Sequence, residues 1–289
     1  MTSGSRRVAA SIAMLVALVL AGCGGSGAKE TSSPTRAPPT QQPSTVQPAS
    51  ISPAPTGTAV AQTHVIAISA GHGGPTNVGA THRDAQGNVD LVEKDLTLDV
   101  ARRLDALLRA GGYRTVMVRG GDSSLTEPGA GSIDATRRES QARADVANEA
   151  GAEIVLALHF NGHDDPSQSG TEVYYNPDRS FGDKSEALAR FVHDALIAGI
   201  RATGYETRDR GLLNDAPIGA RFEQEHTFLL GEATDFRATT MPGIICEPLF
   251  VTNDVEAALL LRDDIRDAIA RAYKAGIDAY FSWLDGSGN

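Results

Sequence analysis

The 289-residue sequence predicts an α/β fold: a single three-layer sandwich with a mostly parallel central sheet flanked by helices, preceded by a signal peptide and a disordered tether. Three observations predict it. Short apolar runs alternate with longer amphipathic segments from residue 64 onward, the signature of strands joined by crossover helices. The runs Ile154–Leu158 and Gly243–Cys246 are apolar throughout, as expected for strands covered on both faces. Before residue 64 neither pattern occurs, so the chain divides into 1–22, 23–63 and 64–289.

The first segment carries Arg6 and Arg7 and then the apolar run Val8 to Leu20. That run is short for a membrane span and has the length of a signal-peptide core. It ends in Leu20-Ala21-Gly22-Cys23, which is similar to the lipobox of bacterial lipoproteins. Such a match implies cleavage before Cys23, lipidation of its thiol, and a membrane-anchored protein facing the extracytoplasmic wall. Several acyl chains hold a protein stably where one is marginal. Residues 24–63 contain seven of the fourteen prolines and no aromatic residue. Such a stretch buries too little apolar surface to offset its ordering entropy. It would reach on the order of 100 Å if extended, or roughly 35 Å as a coil.

In the third segment, His64–Ala70 reads as a buried strand. Residues 94–110 read as a helix with Leu96, Val100, Leu104, Leu107 and Leu108 on one stripe, stopped by Gly111-Gly112. Strands follow at 113–118, 154–158, 171–175 and 243–246, with helices at 134–150 and 185–202. Two closing helices occupy 255–262 and 265–283, the second carrying Ile265, Ile269, Tyr273, Ile277 and Tyr280. Residues 205–242 mix turns, short strands and charge, and read either as a wall or lid over a cleft or as an exposed insertion.

Composition removes several classes. A net charge of −10 gives no global basic field for phosphates, so no nucleic-acid partner is expected. Two cysteines, Cys23 and Cys246, exclude a disulfide scaffold and a four-cysteine zinc knuckle. There is no H-E-x-x-H and no G-x-S-x-G, and the run Gly71-His72-Gly73-Gly74 lacks the Lys-Ser/Thr of a phosphate loop. A monomer is expected.

The chemistry gathers at strand ends. The first strand runs into His72, the third into His159 and Asn161, and the last into Glu247, while Glu93 opens the first helix. In open α/β sheets, sites form beyond the carboxyl ends of the strands, so these residues can meet. Two imidazoles and a carboxylate with an open fourth position make a catalytic zinc site. His163 lies in a turn, which breaks the helical spacing it would need to pair with His159. His82, His193 and His226 read as packing or solvent-facing residues, and Cys246 as a buried thiol pointing away from Glu247.

Residues 64–283 resemble the zinc-dependent N-acetylmuramoyl-L-alanine amidases of the Amidase_3 type. The resemblance rests on Ile68-Ser69-Ala70-Gly71-His72-Gly73-Gly74, Glu93-Lys94-Asp95-Leu96, Arg143 with Val146-Ala147-Asn148, Leu158-His159-Phe160-Asn161, Gly170 to Tyr175, and Glu247 with Phe250 and Asn253. It implies Zn²⁺ on His72, Glu93 and His159, Glu247 as the general base, and Asn161 as a residue orienting substrate or shell water. The implied substrate is peptidoglycan, cut between N-acetylmuramic acid and L-alanine. Ser69 stands where the family usually has Asp, and the stretch from His72 to Glu93 is longer than usual, with Asp84 and Asp90 as further acids in it. Two other readings compete: a zinc-dependent cell-wall peptidase, and a catalytically inactive wall-binding lipoprotein.

Overall fold

The computed structural model describes residues 64–126, 132–232 and 236–286. The expected signal segment 1–22, Cys23 and the tether to residue 63 lie outside the described residues. No helix among the described residues is long and apolar enough to cross a membrane.

Strand β1 (Val65–Ala70) is buried along its whole length. A hairpin of β2 (Thr81–Arg83) and β3 (Val89–Val92) follows and leads directly into helix α1 (Glu93–Ala110). Then come β4 (Arg114–Met117), α2 (Ile133–Glu149), β5 (Ile154–Leu158), β6 (Thr171–Tyr175) and α3 (Gly182–Arg201). The chain closes with β7 (Asp209–Asn214), the single turn α4 (Ala216–Gly219), β8 (Gly243–Glu247), α5 (Asp254–Leu260) and α6 (Asp263–Gly286).

The main sheet has the order β4-β1-β5-β8-β6-β7. All its pairings are parallel except β6 with β8, where Glu172 lies opposite Glu247. The mostly parallel sandwich expected from the sequence is therefore present. The one reversal has a consequence for chemistry. Strands β1, β5 and β8 deliver their carboxyl ends to one edge, whereas antiparallel β6 and its parallel neighbour β7 bring their amino ends there.

The two faces are covered differently. On one, α1, α3 and α6 pack Leu104, Leu188, Val192, Ile269 and Tyr273 against Ile66, Ile68, Leu156 and Cys246. The leucine stripe of α1 and the Ile/Tyr stripe of α6 lie buried here or packed against this core. On the other face, α2 places Ala147 beside Val65 and Val155. The rest of that face is covered by the segment after α4: Phe228, Leu229, Leu230 and Phe236 pack on Ala157 and Ile245. This corrects the reading of 205–242 as an exposed insertion. Its aromatic side chains form part of the third layer, packing on Ala157 and Ile245 while α2 covers Val65 and Val155. Asp215, fully buried, ties it down through His226 Nδ1 at 2.6 Å and Thr227 Oγ1 at 2.7 Å.

Candidate metal centre and its carboxylates

Beyond β1 the chain passes Gly71 and turns sharply at His72, whose φ is +58°. This left-handed conformation costs a non-glycine residue about 1–2 kcal/mol. It aims the imidazole across the end of the sheet. Its Nδ1 lies 2.7 Å from Asn77 Oδ1, which can only accept. That hydrogen bond puts the neutral ring's proton on Nδ1 and leaves the Nε2 lone pair facing inward.

Three atoms converge there. His72 Nε2 is 2.9 Å from Glu93 Oε1. His159 Nδ1 is 3.0 Å from the same oxygen and 3.2 Å from His72 Nε2. Among the described residues this is the one group of three such side chains able to share a metal ion. The spacing suits a tetrahedral ion, since ligands at 2.0–2.1 Å from zinc stand about 3.3 Å apart. Two nitrogens and a carboxylate oxygen are also a zinc-type donor set. Asp84 and Asp90 are elsewhere: Asp84 accepts from backbone in the hairpin turn, and Asp90 binds His82.

Each ligand side chain is braced. Glu93 Oε2 accepts the Ala80 N–H at 2.7 Å, and Oε1 the Phe160 N–H at 3.1 Å. The His159 ring lies on Gly71, where a Cβ would come within 2.4–2.7 Å of its Cε1, Nδ1 and Nε2 atoms. Electrostatics follow from the convergence. Burial opposes ionisation of Glu93, but the charges and hydrogen bonds of His72 and His159 outweigh it and hold the carboxyl well below its usual range. Burial also depresses His72, yet Glu93 more than compensates and raises it. His159 is lowered, chiefly by burial.

Glu247 closes β8 at the same edge, half-buried. Its Oε2 is buried with no hydrogen-bond partner. Burial, then the charges of Glu93 and Glu172, push its carboxyl well above the ordinary range, with Arg221 opposing. Cys246, one residue earlier, points into the opposite core and is a free buried thiol, as strand alternation requires.

Asn161 stands in a polar cluster beside these groups. Its Nδ2 donates to Glu172 Oε1 at 2.5 Å, and its Oδ1 accepts from the Gly162 N–H at 2.9 Å. Glu172, 3% exposed, also accepts from Tyr174 Oη at 2.7 Å and Arg210 Nε at 2.5 Å. Sequence reasoning singled out neither Asn77 nor Glu172 as site residues. Asn77 had a faint signal, a side-chain acceptor in the same Gly-rich turn as His72. Glu172 lies within the Gly170 to Tyr175 motif, but that motif reads only as a strand, and Glu172 reaches the edge through the reversal of β6. His82, His163, His193 and His226 all lie outside the three-atom cluster.

An α/β sandwich with a His₂Glu cluster and a donor-free carboxylate at one sheet edge has the parts of a metal-dependent hydrolase. The family model for N-acetylmuramoyl-L-alanine amidases, Amidase_3, matches residues 66–279. The chain belongs to this family. It is 28% identical over 216 residues to the N-acetylmuramoyl-L-alanine amidase LytC of Bacillus subtilis, covering 75% of this chain and 35% of that one. The chain thus spans about a third of LytC's length. It is 26% identical over 219 residues to the germination-specific N-acetylmuramoyl-L-alanine amidase of the same organism, covering 75% of this chain and 80% of that one. Its fold is that of the catalytic domain of CwlV, an N-acetylmuramoyl-L-alanine amidase from Bacillus (Paenibacillus) polymyxa var. colistinus. That comparison has a TM-score of 0.56 at 24% identity, covering 76% of this chain and 99% of that one.

Proposed function

We propose that this protein is a zinc-dependent peptidoglycan hydrolase that cleaves the amide between N-acetylmuramic acid and L-alanine. The observation that carries the reading is the pairing of the braced His72–Glu93–His159 cluster with the partnerless Oε2 of Glu247. Family membership supplies the substrate class. His72, Glu93 and His159 would hold zinc, which when bound supplies Lewis acidity for polarising a carbonyl and lowering the pKa of water. Glu247 Oε2 takes a proton from the attacking water as its oxygen bonds to the amide carbon. It then returns that proton to the amine nitrogen as the C–N bond breaks. A carboxylate with no fixed donor suits this exchange, because no resident hydrogen bond must break first. Asn161, bonded at both ends of its amide, serves here as a brace between the His159 loop and Glu172.

The protein works outside the membrane in this reading. Cleavage after Gly22 leaves Cys23 lipidated, and residues 24–63 link that anchor to the catalytic domain. Support for this comes from the sequence pattern of residues 1–63.

Purified peptidoglycan separates the candidates. Mass spectrometry of the digest should show intact stem peptides with a free L-alanine amino terminus, a signal that disappears with a chelator and returns with zinc. Cleavage within the stem peptide would indicate the peptidase instead, and no cleavage by zinc-loaded protein the inactive wall binder.

A further inference from the structure

Two arginines lie buried beside a cluster arranged for a cation. Arg119 is 2% exposed and Arg143 7%. Electrostatics alone would exclude them, since each positive charge opposes a metal ion nearby. Their hydrogen bonds explain their presence. Arg143 donates to the carbonyls of Ala70 and His72, both at 2.6 Å, and to Ser69 Oγ at 3.0 Å. Arg119 donates to the carbonyls of Ala70 at 3.0 Å, Gly71 at 2.8 Å and Lys94 at 2.7 Å. Thr97, fully buried, repeats the same bridge, with its hydroxyl 2.8 Å from Gly71 O and 3.1 Å from Lys94 O.

The carbonyls so held flank two of the three ligand residues. Gly71 precedes His72, and Lys94 follows Glu93. One guanidinium therefore spans the turn that presents His72 and the helix start that presents Glu93, while the other grips the carbonyl of His72 itself, in its left-handed conformation. Such a junction needs several donors in one rigid plane, which guanidinium supplies and ammonium does not. Arg143 is in turn oriented by Glu139, 3.0 Å away, whose Oε2 caps the N–H groups of Leu125 and Thr126.

We infer that Arg119 and Arg143 are positioning residues that set the separation of His72 and Glu93, and through it the affinity of the site for its metal. The inference rests on the metal site proposed above but not on the reaction assigned to it. Its consequence is that the planar fork, rather than the positive charge, is what the site requires.

The test compares Arg119→Lys and Arg143→Lys with Arg119→Met in the full chain. Zinc affinity is read by competition with a chromophoric chelator, and ligand geometry by the visible absorption of the cobalt-loaded protein. Both lysine variants should bind zinc about 10–100-fold more weakly and shift the cobalt spectrum. If charge were what matters, the lysine variants would bind as wild type does and Arg119→Met would bind more tightly; either result overturns the inference. Should the arginine variants fail to fold, Thr97→Val keeps the shape and removes one arm of the bridge. Its zinc affinity should fall about fivefold, and an unchanged affinity overturns the inference. A wild-type chain that binds no zinc overturns both this inference and the metal site. One that binds zinc but cleaves no wall overturns only the proposed reaction.

Discussion

Glu93 and Glu247 stand at the same sheet edge and differ in almost every physical respect. Glu93 is 4% exposed, receives two backbone N–H groups and faces two imidazoles. Glu247 has an oxygen that nothing donates to, and the charges of two other carboxylates reach it, opposed by Arg221. The same side chain is thus held ionised in one place and made protonatable in the other. Groups whose surroundings drive their proton affinities apart mark a division of labour, one fixed ligand and one proton carrier.

The largest expected effect comes from Glu247→Gln, which removes the proton carrier and leaves the metal ligands in place. Turnover on purified peptidoglycan should fall about 10²–10⁴-fold, with zinc content unchanged by elemental analysis. Retained turnover would erase the distinction between the two carboxylates. The complementary change is Gly71→Ala, whose new methyl meets the His159 ring. It should weaken zinc binding about 10–100-fold in a chelator competition, since support around a ligand matters at that level.

A smaller effect concerns stability. The folded-state pKa of Glu247 is raised, so the folded protein binds this proton more tightly than the unfolded chain does. Its cost is fully present above the folded pKa and disappears as pH falls below the unfolded value. Metal-free Glu247→Gln should therefore melt at a higher temperature than the metal-free wild type near neutral pH, with the gain vanishing in acid. Glu93 has the opposite sign. Its lowered pKa contributes stability above the unfolded value that is lost as pH falls. The finest test is the acid limb of kcat/KM. Glu247 must be ionised to accept a proton, so its burial and the charge of Glu172 should place that limb above the ordinary glutamate value of about 4.3. A limb at or below that value would mean that burial and its neighbours do not tune this group.

Much of this was legible in the residues. Apolar runs located β1, β5 and β8, and periodic stripes located α1, α3 and α6, because burial on a regular element leaves a regular pattern. The β2–β3 hairpin was missed. Its strands are short and largely exposed, and its only cue is the Asp84–Asn88 turn closed on the Asp84 carboxylate. The cover supplied by Phe228 and Phe236 was missed too, since aromatic side chains outside regular elements leave no period to detect. Arg143 was visible as part of a motif, but its partners, the carbonyls of Ala70 and His72, are backbone atoms that no residue pattern encodes.

The sequence by itself determined that His72, His159 and Glu247 follow buried strands, and parallel strands must deliver their carboxyl ends to one edge. It also determined an acidic chain with a lipobox-like segment ahead of residue 64. Only the tertiary structure decided which acid between His72 and α1 joins the imidazoles, because the hairpin folds Asp84 and Asp90 away and leaves Glu93 at the helix start. It alone decided that β6 runs against β8, setting Glu172 beside Glu247 and bringing Arg210 to neutralise it. Strand direction is settled by pairing and packing between residues far apart in the chain, which local periodicity does not record.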